Sequence, residues 1–232
     1  MRLRTGTSGF AYAEWKGSFY PEKLPAAGML GYYAQHFDTV EINNTFYRMP
    51  GAEQLRQWSA QVPAGFSFVL KASQRITHRK RLLEVGEEWT YFSRTAEALG
   101  DQLGPILVQL PPNLKQDAAR LDTFLSLVPE TQRVAVEFRH PSWFDEQVYD
   151  VLRRHRAALC VAHGETDDPA PVLPTTDWGY ARLRNVAYGE AELERWAKDL
   201  AAQPWHEVYV FFKHEDAGTG PRLAERFREL FA

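Results

Sequence analysis

The chain has 232 residues, 44% hydrophobic and 25% charged, with a formal net charge of −3 and a single cysteine, Cys160. That length suits one domain with a large core, the charge offers no global basic field for nucleic acid or an acidic membrane, and one cysteine excludes an internal disulfide. No apolar run is long enough to span a bilayer and no signal segment precedes the first strand-like run, so the expectation is a cytoplasmic protein with no membrane partner.

Eight apolar, often β-branched runs follow one another along the chain, at residues 3–8, 39–43, 66–71, 106–110, 134–138, 159–162, 180–184 and 208–213. Stretches of helical period lie between most of them, at 29–36, 52–61, 87–100, 118–128, 145–155 and 190–201, and one more, 222–231, follows the last. The sixth unit is the exception. Its connection, 163–177, carries Pro169, Pro171 and Pro174 and no helical period, which predicts a loop. Eight strands alternating with helices predict one α/β domain over 1–232, a (β/α)8 TIM-type barrel whose sixth unit lacks a regular helix. An open doubly wound sheet would need a G-x-G-x-x-G turn after the first strand, whereas the turn here reads Gly6-Thr7-Ser8-Gly9-Phe10.

Each apolar run ends in a charged or strongly polar residue, and strand alternation sorts these by face. Glu41 and Asn43 lie opposite Val40 and Ile42; Glu137 pairs with Arg139, Arg182 with Arg184, and Lys213 with Phe211. In a parallel barrel this set lines the upper interior, where such folds keep their chemistry. Lys71 and Gln109 complete it. Five cations (Lys71, Arg139, Arg182, Arg184, Lys213) then face two carboxylates (Glu41, Glu137). An internal ion network that satisfies itself is the bland alternative. Two carboxylates cannot neutralise five cations, however, and the surplus predicts a small anionic ligand.

The regions after strands seven and eight hold two glycine-bearing helix starts, Gly189 and Gly218-Thr219-Gly220, which could offer backbone N–H groups to a phosphate. Arg139, Arg182, Arg184 and Lys213 are the anion-binding candidates. Glu137 and Glu41 are the acid/base candidates, with Lys71 modulating them. Lys71 could form a Schiff base, though an ion pair with either glutamate is the simpler expectation. Ser8, Asn43 and Gln109 would orient hydroxyls, and His140 is a further substrate-binding candidate.

A metal is weighed at His140, His163 and His214, with Glu137, Glu165 and Asp216 close by in sequence. No pair has tight H-x-H or H-E-x-x-H spacing, and the cations would repel a divalent ion, so no metal and no cofactor are expected. Tyr12 and Tyr47, near strand ends, could stack on a sugar or base. With the basic loop 71–81, which includes His78 and Arg79, they supply the alternative of a nucleic-acid partner, against which the net acidity counts. A barrel that binds a ligand without turnover is a third reading.

At these motifs the chain resembles the domain of unknown function 72 family, the YecE-like proteins. The likeness covers nearly the whole chain, through GTSG at 6–9, EWKGSFYP at 14–21, VEINNTFYR at 40–48, KASQRITH at 71–78, QLPP at 109–112 and VEFRHPSWF at 136–144. It implies a TIM-type barrel and leaves activity open. Thr7, Ser8, Glu41, Asn43, Lys71, Gln109, Glu137, Arg139, His140 and Trp143 sit at its motif positions. After strand seven the family pattern tends to read R-L-H-G where this chain has Arg182-Leu183-Arg184-Asn185. After strand eight it tends to read Y-F-N-N where this chain has Phe211-Phe212-Lys213-His214. Arg184 and Lys213 are thus this chain's own.

Overall fold

A computed structural model of the protein describes residues 1–164, 170–185 and 187–231. Its strands are β1 (Arg2–Thr7), β2 (Thr39–Ile42), β3 (Ser67–Lys71), β4 (Leu103–Gln109), β5 (Val134–Glu137), β6 (Ala158–His163), β7 (Trp178–Leu183) and β8 (Glu207–Phe212). Helices α1 (Met29–His36), α2 (Ala52–Ser59), α3 (Gly86–Ala96), α4 (Ala118–Leu125) and α5 (Glu146–Arg154) follow the first five strands. Helices α6 (Glu190–Ala201) and α7 (Thr219–Leu230) follow β7 and β8. Among the described residues the β6–β7 connection contains no helix, as its prolines foretold; residues 165–169, Glu165 among them, lie outside the described residues. No described helix is long and apolar enough to cross a membrane.

All strand pairs are parallel, in the order β1-β8-β7-β6-β5-β4-β3-β2, a (β/α)8 TIM-type barrel. Parallel strands covered by helices are buried on both faces, which is why β2, β5, β7 and β8 are buried at every position. The inward faces form a small apolar plug that includes Val69, Leu107, Ala135, Cys160, Tyr180 and Phe211. The outward faces pack under the helices in a larger core around Phe68, Val108, Val136, Leu159 and Phe212. Cys160 is buried in the plug, and burial pushes its thiol pKa well up, which fits the small hydrophobe its apolar context predicts. Asp117 and Asp145 cap α4 and α5 by accepting from Arg120 N and Gln147 N.

The barrel closes between β1 and β2, where the ladder is thinnest. The bridge there pairs Ser8 with Glu41, and Gly9 N donates to Glu41 O at 2.8 Å. Below it, the Tyr33 hydroxyl from α1 enters the seam. It accepts from Thr7 N at 2.8 Å and donates to Thr39 O at 3.1 Å, taking the place of ladder bonds. A Cβ on Gly6 would stand 2.3 Å from Thr39 O, so the close approach admits only glycine. At the N-terminal end Glu207 accepts from Arg4 Nε and Arg133 Nη1, both at 2.8 Å, and Arg4 also reaches Asp38. A depression of about 670 Å³ opens among these groups. Its three arginines, Arg2, Arg4 and Arg133, all pair with Glu207, as expected of the end of a barrel that serves stability.

Tyr33→Phe would leave the buried Thr7 N–H and Thr39 carbonyl without their seam partner. It is expected to destabilise the fold by about 1–3 kcal/mol in denaturant unfolding. An unchanged midpoint would mean that the hydroxyl does not hold the seam.

Candidate active site

The C-terminal strand ends deliver their polar residues to one cluster. Glu41 on β2 and Glu137, the last residue of β5, are both fully buried. Glu41 Oε1 accepts from Ser8 Oγ (2.7 Å), Arg182 Nη2 (2.8 Å) and Nε (3.2 Å), and Asn43 Nδ2 (3.2 Å). Its Oε2 accepts from the Tyr180 hydroxyl at 2.5 Å. Glu137 Oε2 accepts from Arg182 Nη1 at 2.6 Å. Its Oε1 accepts from Gln109 Nε2 (2.9 Å), Arg139 Nε (3.0 Å) and Arg184 Nη2 (3.3 Å). Arg182, itself 2% exposed, therefore bridges two carboxylates carried by strands that do not adjoin its own.

Electrostatics fix the protonation states. Burial alone would raise both carboxyl pKa values. For Glu41 the charge and hydrogen bonds of Arg182, with bonds from Ser8 and Tyr180, reverse the sign. For Glu137 the attraction of Arg182, Arg184 and Arg139 carries the pKa well below the usual carboxylate range. Both are ionised at neutral pH, and both oxygens of each accept hydrogen bonds. Burial pushes the Arg182 pKa down, but Glu41 and Glu137 push it further up. The acid/base roles expected of the glutamates do not match this arrangement, because a fully buried, ionised carboxylate bonded at both oxygens has neither a proton to give nor a face for substrate. Ser8, Asn43 and Gln109 likewise spend their polar ends on these carboxylates.

The remaining cations are less well matched. Four of the five expected at the mouth gather there. Arg182, Arg184, Arg139 and Lys71 face two carboxylates, a surplus of two positive charges. Among the described residues the buried Nε of Arg184 has no hydrogen-bond partner, and its pKa falls through burial and through Arg182 and Arg139, against the pull of Glu137. Lys71 does not make the ion pair expected of it. Among the described residues its Nζ has no hydrogen-bond or ion-pair partner, and it sits 4.2 Å from the centroid of the Phe46 ring. Burial and the Arg182 charge outweigh Glu41 and Glu137 and bring its pKa down to about 8. Thr45 holds this corner: its Oγ1 lies 2.7 Å from Lys71 O and 3.1 Å from Lys71 N.

Other expected residues stand apart. Lys213 follows the last residue of β8; its side chain is 45% exposed and its ion-pair partner is Glu215, at 3.9 Å. The Tyr12 hydroxyl donates to Ser8 O at 2.7 Å and its ring packs on Trp15, whereas Tyr47 is 72% exposed. His140 accepts from Ser142 N to cap a helical turn at Pro141–Trp143. His163 meets the Tyr188 hydroxyl and His214 the Asn185 carbonyl, so the three histidines do not converge. Among the described residues no group of three or more His, Cys, Asp or Glu side chains is placed to hold a metal. In the basic loop, Arg75 and Lys80 both close on Glu88 at 2.9 Å. The glycine-bearing helix starts have other duties. Glu190 and Glu192 occupy the first turn of α6, and a Cβ on Gly220 would stand 2.9 Å from His214 O.

Three participants were not singled out by strand parity. Tyr180 shares the inward column of Arg182, two residues before it, and that spacing could have revealed it. Phe46 and His78 come from turns: the His78 ring meets Phe46 edge-on at 4.8 Å. Loop geometry of this kind has no sequence period to betray it.

The chain as a whole is similar to known proteins. A model of the family described as "Protein of unknown function DUF72" matches residues 4–232. The chain is 26% identical to the UPF0759 protein YunF of Bacillus subtilis over 92% of its own length and 90% of the relative's. It is 32% identical to the UPF0759 protein YecE of Escherichia coli over 48% of its length and 42% of the relative's. A crystal structure of a DUF72 family protein from Thermotoga maritima superposes with a TM-score of 0.86 at 28% identity, covering 99% of both chains. One from Enterococcus faecalis, at 21% identity and a TM-score of 0.81 over 99% and 97% of the two chains, shares the fold.

Glu137→Gln removes the charge that three guanidinium groups share in a buried setting. It is expected to destabilise the protein by about 3–5 kcal/mol in urea unfolding, well beyond a surface ion pair. Stability within about 0.5 kcal/mol of the parent would show that the cluster does not hold the mouth together.

Proposed function

We propose that this chain, which belongs to the DUF72 family, binds a small organic anion at the C-terminal mouth of its barrel and carries out acid–base chemistry on it. The family's description assigns no activity, so the reading rests on the site. One observation carries it: Arg184 has a buried Nε with no hydrogen-bond partner among the described residues, inside a cluster with two more positive charges than negative ones. A guanidinium left half-matched in a sheltered position is expensive unless something completes it, and a phosphate or carboxylate fits its planar fork. A phosphorylated or carboxylated sugar-like molecule is the class that offers both that anion and hydroxyl or carbonyl groups on which acid–base chemistry acts.

Arg184 and Arg139 take the anion, each retaining donors beyond its single bond to Glu137. Lys71 takes the proton-transfer role, since a group with a pKa of about 8 is populated in both forms near neutrality. Glu41, Glu137 and Arg182 act as positioning residues that hold the arginine side chains and set the local charge. A nucleic-acid partner has less support, because Arg75 and Lys80 are already drawn to Glu88.

Thermal shift against inorganic phosphate, sulfate, sugar phosphates, sugar acids and single-stranded oligonucleotides, at low and physiological salt, tests the reading. A ligand at a hundred times its Kd should add about 2.7 kcal/mol. Stabilisation by a small anion, weakened roughly tenfold or more in Arg184→Gln, is expected from the loss of a charge-assisted bond. Stabilisation by oligonucleotides alone, or binding unaltered in Arg184→Gln, would overturn it.

A further inference from the structure

Lys71 departs from the rest of the cluster in one respect. Every other charged side chain of the cluster is bonded to an opposite charge, while among the described residues Lys71 Nζ has the face of Phe46, 4.2 Å away, and no hydrogen-bond or ion-pair partner. A lysine held in place by packing, without a hydrogen bond that ties up its lone pair on deprotonation, is arranged as a nucleophile more than as an ion-pair partner. The fold goes to some trouble to present it so. Thr45 clamps its backbone from both sides. The chain beyond β3 makes one turn of π-helix, Arg75–Arg79, a form that recurs at functional sites. It then passes through three non-glycine residues with left-handed backbone, Arg81 (φ 51°), Leu82 (φ 66°) and Glu84 (φ 48°). That turn brings the His78 ring edge-on to Phe46 with ring centroids 4.8 Å apart, so Lys71 and His78 share one aromatic neighbour. Burial, then the charges of Lys71, Arg139 and Arg81, lower the His78 pKa, so its imidazole is neutral and able to accept a proton. Thr77 Oγ1 lies 2.9 Å from its Nδ1 and fixes the ring.

We propose that Lys71 is a catalytic amine that condenses with a ketone or aldehyde carried by the bound anion, forming a Schiff base at the mouth of the barrel. This rests on the anion-binding reading above and narrows its substrate to a carbonyl-bearing phosphate or carboxylate. The step balances without an external reagent. Neutral Lys71 Nζ attacks the carbonyl carbon, a C–N bond forms, and the carbonyl π pair moves to oxygen, which takes a proton. The nitrogen proton leaves to a base, a role open to neutral His78, which shares the Phe46 contact. Protonation of the hydroxyl and its departure as water leave the positively charged iminium. The ionised Glu137 and Glu41 then offset that charge from below. The iminium would serve as an electron sink for proton removal from the neighbouring carbon, which is acid–base chemistry of the class proposed.

Borohydride trapping tests this directly. The full chain is incubated with pyruvate, glyoxylate or dihydroxyacetone phosphate, reduced with borohydride, and mapped by peptide mass spectrometry. Uncharged dihydroxyacetone is the control. The expected result is a covalent increment on Lys71 with at least one of the three anions, at least tenfold above any of the other six lysines, which act as an internal control. Its yield should rise as pH passes through about 8. Lys71→Met should abolish it while phosphate still raises the melting temperature. No increment on Lys71, or one spread evenly over the lysines, with phosphate stabilisation intact, would overturn the amine and leave the anion site standing. Loss of the phosphate shift in the parent protein would remove both.

Discussion

The mouth of this barrel is organised by one guanidinium held between two buried carboxylates. Arg182 on β7 reaches Glu41 on β2 and Glu137 on β5, all three essentially without solvent. A buried carboxylate is stable only when its charge is met and its oxygens are hydrogen-bonded, and here both oxygens of both groups are bonded and each group meets Arg182. The triplet alone carries one negative charge. Arg139, Arg184 and Lys71, drawn to the same spot, turn that deficit into a surplus of positive charge at the surface end. The deeper layer is thus a satisfied ion network and the shallower one an unsatisfied one. The first belongs to stability and specificity of the fold, the second to whatever completes it.

The layering reassigns roles among residues that parity had grouped together. Carboxylates that look like an acid/base pair on paper become fixed countercharges once each is seen to accept four or five hydrogen bonds. Ser8, Asn43 and Gln109 lose their freedom to the same two side chains. Lys71, expected as their modulator, is left as the group with an available proton and an available lone pair. The cation–π contact with Phe46 supplies packing and some electrostatic attraction but no acceptor, which is consistent with a pKa drawn down by burial and by neighbouring arginines.

Much of this was legible in the amino-acid sequence because strands impose a period of two. Glu41, Lys71, Gln109, Glu137, Arg182 and Arg184 were assigned to the inward face from alternation alone, and the eight-strand count gave the end of the barrel at which they meet. Lys213 shows where that rule expires: β8 ends at Phe212, and one residue past the ladder the side chain follows the loop and solvent. Tyr180 was readable from the same parity as Arg182 but carries no formal charge to draw notice. Phe46 and His78 were not readable, since their meeting depends on a 3-10 turn at Asn44–Phe46 and on the π-turn after β3. Nor could sequence reveal saturation, because it supplies the residues at a site without the distances that decide which of them are already bonded. The helix start at Gly218 and Gly220 illustrates a different limit, in that a glycine demanded by close packing looks the same on paper as one that cradles a phosphate.

Anomalous diffraction from crystals soaked in bromide at low ionic strength tests the central claim most directly, since bromide reports where an uncompensated positive field is accessible without any assumption about the natural ligand. The account places an ordered bromide at the barrel mouth against Arg184, with Arg139 and Lys71 around it, and expects it to vanish in Arg184→Gln. Bromide bound only at scattered surface lysines and arginines, with the mouth empty, would contradict it.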